Sequence, residues 1–342
     1  MTTRVIHSPT ESDLKDAAEI IKGGGLVVFP TETVYGLGAN ALDHDAARRI
    51  YEAKGRPSDN PLIIHLPSVD EVKKYACPPD IYFELAERFL PGPLTVVMPK
   101  KDVIPDTVSA GLPTVAVRVP SHPIASRLCA LALVPIAAPS ANLSGRPSVT
   151  TLKAAIEDMD GRADMIIDGG ESDIGLESTI ISLAGEPTLL RPGGITFEQL
   201  RSVIPDIKIG GAVKEKYDGR AIAPGMKYRH YAPDMPVVLL DGSDEAFCAC
   251  VAERCAALAA ENKACGVLCY DEDLPNITPA VRETLSLGPK SDESAAAHRL
   301  FTLLRSFSGV DVVYGRLPKS EGLGLAVFNR LVKAAGFDIV KL

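Results

Sequence analysis

Residues 54–62 read Lys54, Gly55, Arg56, Pro57, Ser58, Asp59, Asn60, Pro61 and Leu62, which sets two cations two positions apart in a proline-stiffened segment. Pro57 disfavours helix at Arg56, and in an extended chain positions two apart project to one side. Lys54 and Arg56 are therefore expected to face a single anion. Pro57 and Pro61, on either side of the stretch ending in Asn60, reduce the entropy lost when a ligand orders the loop. A solvated basic turn has the same composition, and the segment alone does not separate the two.

Further polar groups stand at the ends or on the faces of apolar runs. Residues 114–120 alternate, with Val115, Val117 and Val119 on one face and Thr114, Ala116 and Arg118 on the other, a small and polar face suited to a cleft wall. The fork of Arg118 matches a carboxylate or phosphate, and a structural ion pair with Asp or Glu would satisfy it equally. Ser140 to Gly145 follow the apolar run 134–138, where open α/β sheets place ligands. Thr31, Glu32, Thr33 and Tyr35 follow the run 26–29 and suit either helix caps or ligand contacts. His65 interrupts an apolar strand, where a satisfied core histidine serves as well. Ser178 opens a strand and Arg191 closes one, both beside turn residues.

Several chemistries are excluded by what is missing. No GxxxxGK[ST] occurs, and Gly36, Gly38 and Ala41 fit a dinucleotide fingerprint only loosely because the strand before them ends too early, at Phe29. There is no GxSxG, and the six histidines form no HExxH. Cys248, Cys250, Cys255, Cys265 and Cys269 contain no CxxC pair, so buried thiols in a reducing compartment are expected rather than zinc.

The elements that must position these groups follow from periodicity. Helices are expected at 11–22, 46–54 and 80–89, and strands at 26–29, 61–66, 94–98, 114–120, 134–138, 165–167, 178–183 and 188–190. Residues 1–206 thus make an α/β domain around a large mixed sheet. Residues 207–236 lose the pattern and read as a linker. Its six cations against three acids (Glu215, Asp218, Asp234) suggest that it lies over something anionic. Residues 237–342 alternate strand and helix again, as a smaller Rossmann-like parallel sheet. With 342 residues, a net charge of -8 and pI near 5.4, the chain is not expected to coat nucleic acid. It shows no membrane span or signal core, and a cytoplasmic location is expected.

Taken in order, PTETVYGL (30–37), KGRPSDNPL (54–62), TVAVRVP (114–120), APSANLSG (138–145), GLESTI (175–180) and LRPGG (190–194) resemble the L-threonylcarbamoyladenylate synthases with a YrdC-type domain. PGMKYRHYAP (224–233) and the domain after it resemble the long form of that family. The resemblance implies an adenylyl transfer in which L-threonine, bicarbonate or CO2, and ATP give L-threonylcarbamoyl-AMP and pyrophosphate. Other proteins, the tRNA threonylcarbamoyl transferase machinery, would pass the group to tRNAs reading ANN codons. It also implies Mg2+ carried by ATP, with no metal ligand from the protein.

By matching positions, Lys54, Arg56, Asn60, Thr114, Ser140, Asn142, Ser148, Arg191 and Tyr231 would contact ATP. Lys54 and Arg56 would act on the phosphates during transfer. Thr33, His65, Arg118, Ala138 and Ser178 would hold L-threonine. Lys227, Arg229 and Tyr231 of the linker would close the site. Positioning and charge stabilisation suffice for this chemistry, so no triad is needed. Two other classes remain open: an RNA-binding module for tRNA or the ribosome, and a carbamoyl transferase acting through a carbamoyl adenylate.

Overall fold

The structure, a computed structural model, describes residues 2–215, 219, 221–224 and 230–342. It divides into two units, one of Met1–Ser144 with Ser148–Tyr228 and one of Gly145–Pro147 with Arg229–Leu342.

In chain order the first unit contains β1 (Arg4–Ile6), α1 (Glu11–Lys22), β2 (Val27–Phe29), β3 (Gly36–Asn40), α2 (His44–Lys54), β4 (Ile63–His65), α3 (Asp80–Phe89), β5 (Leu94–Pro99) and α4 (Asp106–Ser109). There follow β6 (Thr114–Arg118), α5 (Pro123–Ala132), β7 (Ile136–Ala137), α6 (Leu152–Met159), β8 (Met165–Ile167), β9 (Thr179–Ser182), β10 (Thr188–Arg191), α7 (Phe197–Arg201) and β11 (Lys208–Ile209). The strands form one mixed sheet in the order β1-β8-β2-β3-β7-β4-β6-β5-β9-β10-β11. Helix α1 is started by a capping box between Thr10 and Asp13 and buries Leu14, Ala17, Ala18 and Ile21 against α5 and against Val27, Phe29 and Met165 of the sheet.

Strand β3 was not expected from GLGAN, and its glycines explain both the pairing and the weak signal. A Cβ on Gly38 would lie 2.7 Å from the Phe29 ring and 2.8 Å from Ile136, so only glycine lets that ring cross the strand. The segment expected as a linker from residue 207 starts as β11, paired in parallel with β10, and continues through a 3-10 turn at Gly211–Val213. Ala212, Ala221 and Ala223 are buried on the sheet against Ile63, Ala116, Ile180 and Leu190. They cover the face that carries Ala116.

The second unit contains β12 (Val237–Asp241), α8 (Asp244–Ala260), β13 (Cys265–Cys269), β14 (Glu283–Ser286), α9 (Glu293–Ser306), β15 (Val312–Arg316), α10 (Gly324–Ala334) and β16 (Ile339–Lys341). All its ladders are parallel, in the order β14-β13-β15-β12-β16. Cys255, Cys265 and Cys269 pack in its core with Phe247, Val251 and Tyr314, and burial pushes the thiols of Cys265 and Cys269 up to about 12. They serve as small apolar side chains. Among the described residues no helix is long and apolar enough to cross a membrane.

Candidate functional site

Helix α2 begins on Asp43, whose carboxylate accepts from Asp45 N at 2.8 Å, and runs through Lys54. Gly55, at φ 61°, then takes the left-handed conformation that closes a helix, and Pro57 prevents its continuation. The expected extended backbone across 54–56 is therefore corrected: Lys54 is helical, the chain turns at Gly55, and the two cations reach different acceptors. Lys54 is 3% exposed, and its ammonium donates to Ser140 O at 2.5 Å and to Asn142 O. The Arg56 guanidinium donates to Asn60 O at 3.0 Å and Pro61 O at 3.1 Å, tying the loop to itself. Arg56 is partly buried rather than held in an exposed loop. Asn60 is fully buried, and neither Nδ2 nor Oδ1 meets a hydrogen-bond partner among the described residues.

The loop after β7 completes this end. Ser140 Oγ donates to Asn142 Oδ1 at 2.5 Å, Asn142 Nδ2 donates to Leu143 O at 2.8 Å, and Ser144 N donates to Lys54 O at 2.9 Å. Strands β4 and β6 run parallel with Ile63 opposite Ala116. Thr114, which opens β6, thus lies at the same end as Asn60. Ala138 is buried and donates its N–H to Ile63 O at 2.9 Å.

The carboxyl ends of β4 and β6 carry a second cluster. His65 and Arg118 are register partners there, and Thr95 of β5 stands opposite Arg118 on its other side. Arg118, 4% exposed, forms an ion pair with Glu32 at 2.8 Å. Burial alone would raise the Glu32 carboxyl, but the charge and hydrogen bond of Arg118 and backbone N–H groups outweigh it and hold the carboxyl down at about 2. Burial, with Arg118 nearby and only partly opposed by Glu32, depresses His65 to about 3, so its imidazole is neutral near pH 7. Its Nδ1 is buried with no hydrogen-bond partner among the described residues.

Ser178 Oγ is 2.7 Å from Thr95 Oγ1 and accepts from Arg191 Nη2 at 3.2 Å, while Arg191 Nε donates to Ser178 O at 3.1 Å. Arg191, expected at the nucleotide, and Ser178, expected at threonine, are thus direct neighbours. Ser148 donates to the carboxylate of Glu177, the residue before Ser178. Thr33 is fully buried with its hydroxyl 2.8 Å from that of Thr31, in the turn that also carries Glu32.

The sequence analysis thus names residues that gather at the two ends of one short strand: Lys54, Asn60, Thr114, Ser140 and Asn142 at the amino end, His65 and Arg118 at the other. Glu32 was named without its role as the partner of Arg118, and Thr95 and Glu177, which hold Ser178 and Ser148, were missed. A carboxylate directly after an apolar strand was the available signal for Glu32; Thr95, one β-branched residue in a strand, gave none. Tyr231 belongs to the second unit, where it is buried with its ring 5.2 Å from that of Phe301 and 5.4 Å from the Arg330 guanidinium. Lys227 and Arg229 lie outside the described residues. Among the described residues no group of three or more His, Cys, Asp or Glu could hold a metal ion.

Comparison with known proteins shows which proteins the chain is similar to. The Sua5_yciO_yrdC family model, described as Telomere recombination, matches residues 19–193, and Sua5_C, described as Threonylcarbamoyl-AMP synthase, C-terminal domain, matches residues 195–336. The Threonylcarbamoyl-AMP synthase of Pyrococcus abyssi is 48% identical over 97% of this chain and 96% of its own. That of Bacillus subtilis is 43% identical over 98% and 96%. The crystal structure of P. abyssi Sua5 complexed with L-threonine superposes with a TM-score of 0.93 at 46% identity, covering all of both chains.

Proposed function

The chain belongs to the threonylcarbamoyl-AMP synthase family, and from that premise we propose that it joins L-threonine, CO2 or bicarbonate, and ATP into L-threonylcarbamoyl-AMP with release of pyrophosphate. The observation that carries this reading is buried hydrogen-bonding capacity left unmet among the described residues at both ends of β4, at the Asn60 amide and at His65 Nδ1. Buried polar groups are normally satisfied, so substrates are the natural partners, one at each end. Two rises of about 3.3 Å separate the first and last residues of the strand, roughly 7 Å.

In this reading Lys54, Arg56, Asn60, Thr114, Ser140 and Asn142 bind ATP at the amino end, with Ser148 and Arg191 facing the junction of the two substrates. Thr33, His65, Arg118, Ala138 and Ser178 hold L-threonine, with Arg118 taking its carboxylate and Glu32 fixing the guanidinium. The threonine amine and CO2 form a carbamate. Its oxygen attacks the α-phosphorus, and the bond to the β-phosphate oxygen breaks as pyrophosphate leaves. Lys54 and Arg56 stabilise charge on the phosphates, which is worth about 10²–10³ in rate per well-placed donor. Mg2+ would arrive with ATP and reduce the charge on its phosphates.

Ala212, Ala221 and Ala223, already packed on the sheet, support a role for the described part of the segment after residue 207 as a cover over this face. The product would serve threonylcarbamoylation of tRNAs reading ANN codons by other cytoplasmic proteins. Incubation with ATP, L-threonine and labelled bicarbonate should give a labelled adenylate with the mass of L-threonylcarbamoyl-AMP. A labelled carbamoyl-AMP formed without threonine would instead favour the carbamoyl-transfer alternative.

A further inference from the structure

A cavity of about 280 Å³ opens in the second unit, and none of its lining residues is among those assigned above. It is lined by Gly242 after β12, Tyr270 after β13, and Arg316 and Leu317 at the end of β15. These are the carboxyl ends of parallel strands, where open α/β sheets bind ligands. Two cations converge there. Arg316 has a side chain 10% exposed, stacks over the Phe247 ring at 4.9 Å and donates to Ser243 O at 2.9 Å. Lys290 is anchored from behind by fully buried Asp273 at 3.0 Å. Both are held in place by groups other than the one they share.

That shared group is Asp244. One carboxylate oxygen pairs with Arg316 Nη2 and the other lies 2.7 Å from Lys290 Nζ. Its side chain is 56% exposed, so it reaches the two cations from the solvent side. The other lining acid, Glu293, accepts from Gly324 N at 2.9 Å, at the start of α10. Lys319 adds a third cation on the exposed rim.

We propose that this cavity is a binding site for a small phosphate-type oxyanion, with Arg316 and Lys290 as its anchors and Asp244 as a tethered stand-in that the ligand displaces. A free carboxylate would only exchange one singly charged group for another and lose its freedom of motion. A phosphate brings further oxygens and up to a second negative charge to the same two donors, with Lys319 within the lining to meet it.

Titration calorimetry of the full chain with inorganic phosphate, without ATP or L-threonine, tests this. Asp244→Asn should tighten phosphate binding about 5-fold by removing the internal competitor, and Lys290→Gln should weaken it about 10-fold or more. Lys319→Gln, on the surface, should weaken it about 2-fold and keeps the test open if Lys290→Gln does not fold. Binding here should survive Arg56→Ala, which separates it from phosphate held by the loop of the first unit. Acetate should bind at least about 10-fold more weakly than phosphate. Absence of phosphate binding, its loss in Arg56→Ala, indifference to Asp244→Asn and Lys319→Gln, or equal affinity for acetate would each overturn the assignment.

Discussion

The two ends of β4 hold their cations in different ways. At the amino end Lys54 and Arg56 donate to the backbone carbonyls of Ser140, Asn142, Asn60 and Pro61, acceptors that orient a cation. At the carboxyl end Arg118 is matched by one carboxylate, Glu32, inside the protein. The first arrangement suits a polyanion such as a triphosphate. The second suits a single carboxylate, because a guanidinium already paired needs only one further acceptor and is rigidly aimed. It follows that a substitution at the carboxyl end should cost stability and activity together, whereas one at the amino end should cost mainly activity.

The largest effect is expected at Arg118. Arg118→Met leaves Glu32 buried without its partner and should lower stability by about 3–5 kcal/mol, read by urea unfolding. Adding Glu32→Leu should restore most of that stability without restoring turnover. If the double variant were as unstable as the single one, the buried charge would not be the cause. Next comes Arg56→Ala, with kcat lowered about 10²–10³-fold while unfolding shifts by about 1–3 kcal/mol, the worth of its carbonyl bonds. A wild-type rate would remove Arg56 from the phosphate site.

Acid should unfold the carboxyl end first. His65 is depressed to about 3 in the folded protein from an ordinary value of 6.5, so between those values the unfolded chain binds the proton and the folded chain does not. Stability is therefore full above pH 6.5 and is lost as pH falls toward 3, on the order of 2 kcal/mol by pH 4.5. Glu32, depressed from 4.5 to about 2, adds a further loss below pH 4.5. In His65→Gln the loss between pH 6.5 and 4.5 should shrink by that amount; an unchanged profile would assign it to other groups. The smallest effect is expected at Asn60. Asn60→Leu removes a buried amide that has no partner among the described residues and should leave stability unchanged or raise it by up to about 1 kcal/mol, while raising the KM for ATP about 10-fold.

The legibility of these features in the sequence follows from burial. Central strands such as β5, β6 and β8 carry continuous or alternating apolar residues and were readable. Strands β1, β11, β14 and β16 were not: they are the outer strands of the two sheets, largely exposed or half-buried, and so lack the apolar pattern. At the site, Lys54, Asn60, His65, Arg118 and Ser178 were legible because each is a polar residue interrupting an apolar or proline-rich context. Glu32 was less so, since its meaning depends on Arg118, 86 positions later and across the fold. The geometry of the basic loop was misjudged because Gly55 both ends α2 and permits the turn, so spacing along the chain did not translate into a shared direction.

The central claim is that one crevice holds ATP and L-threonine at its two ends and joins them through CO2. Pyrophosphate release from ATP, followed with and without L-threonine and bicarbonate, tests it most directly. Release should require both, and Arg118→Lys, which keeps the charge but not the fork, should raise the L-threonine concentration needed for release about 10-fold or more. Pyrophosphate released at the same rate without threonine would contradict the account.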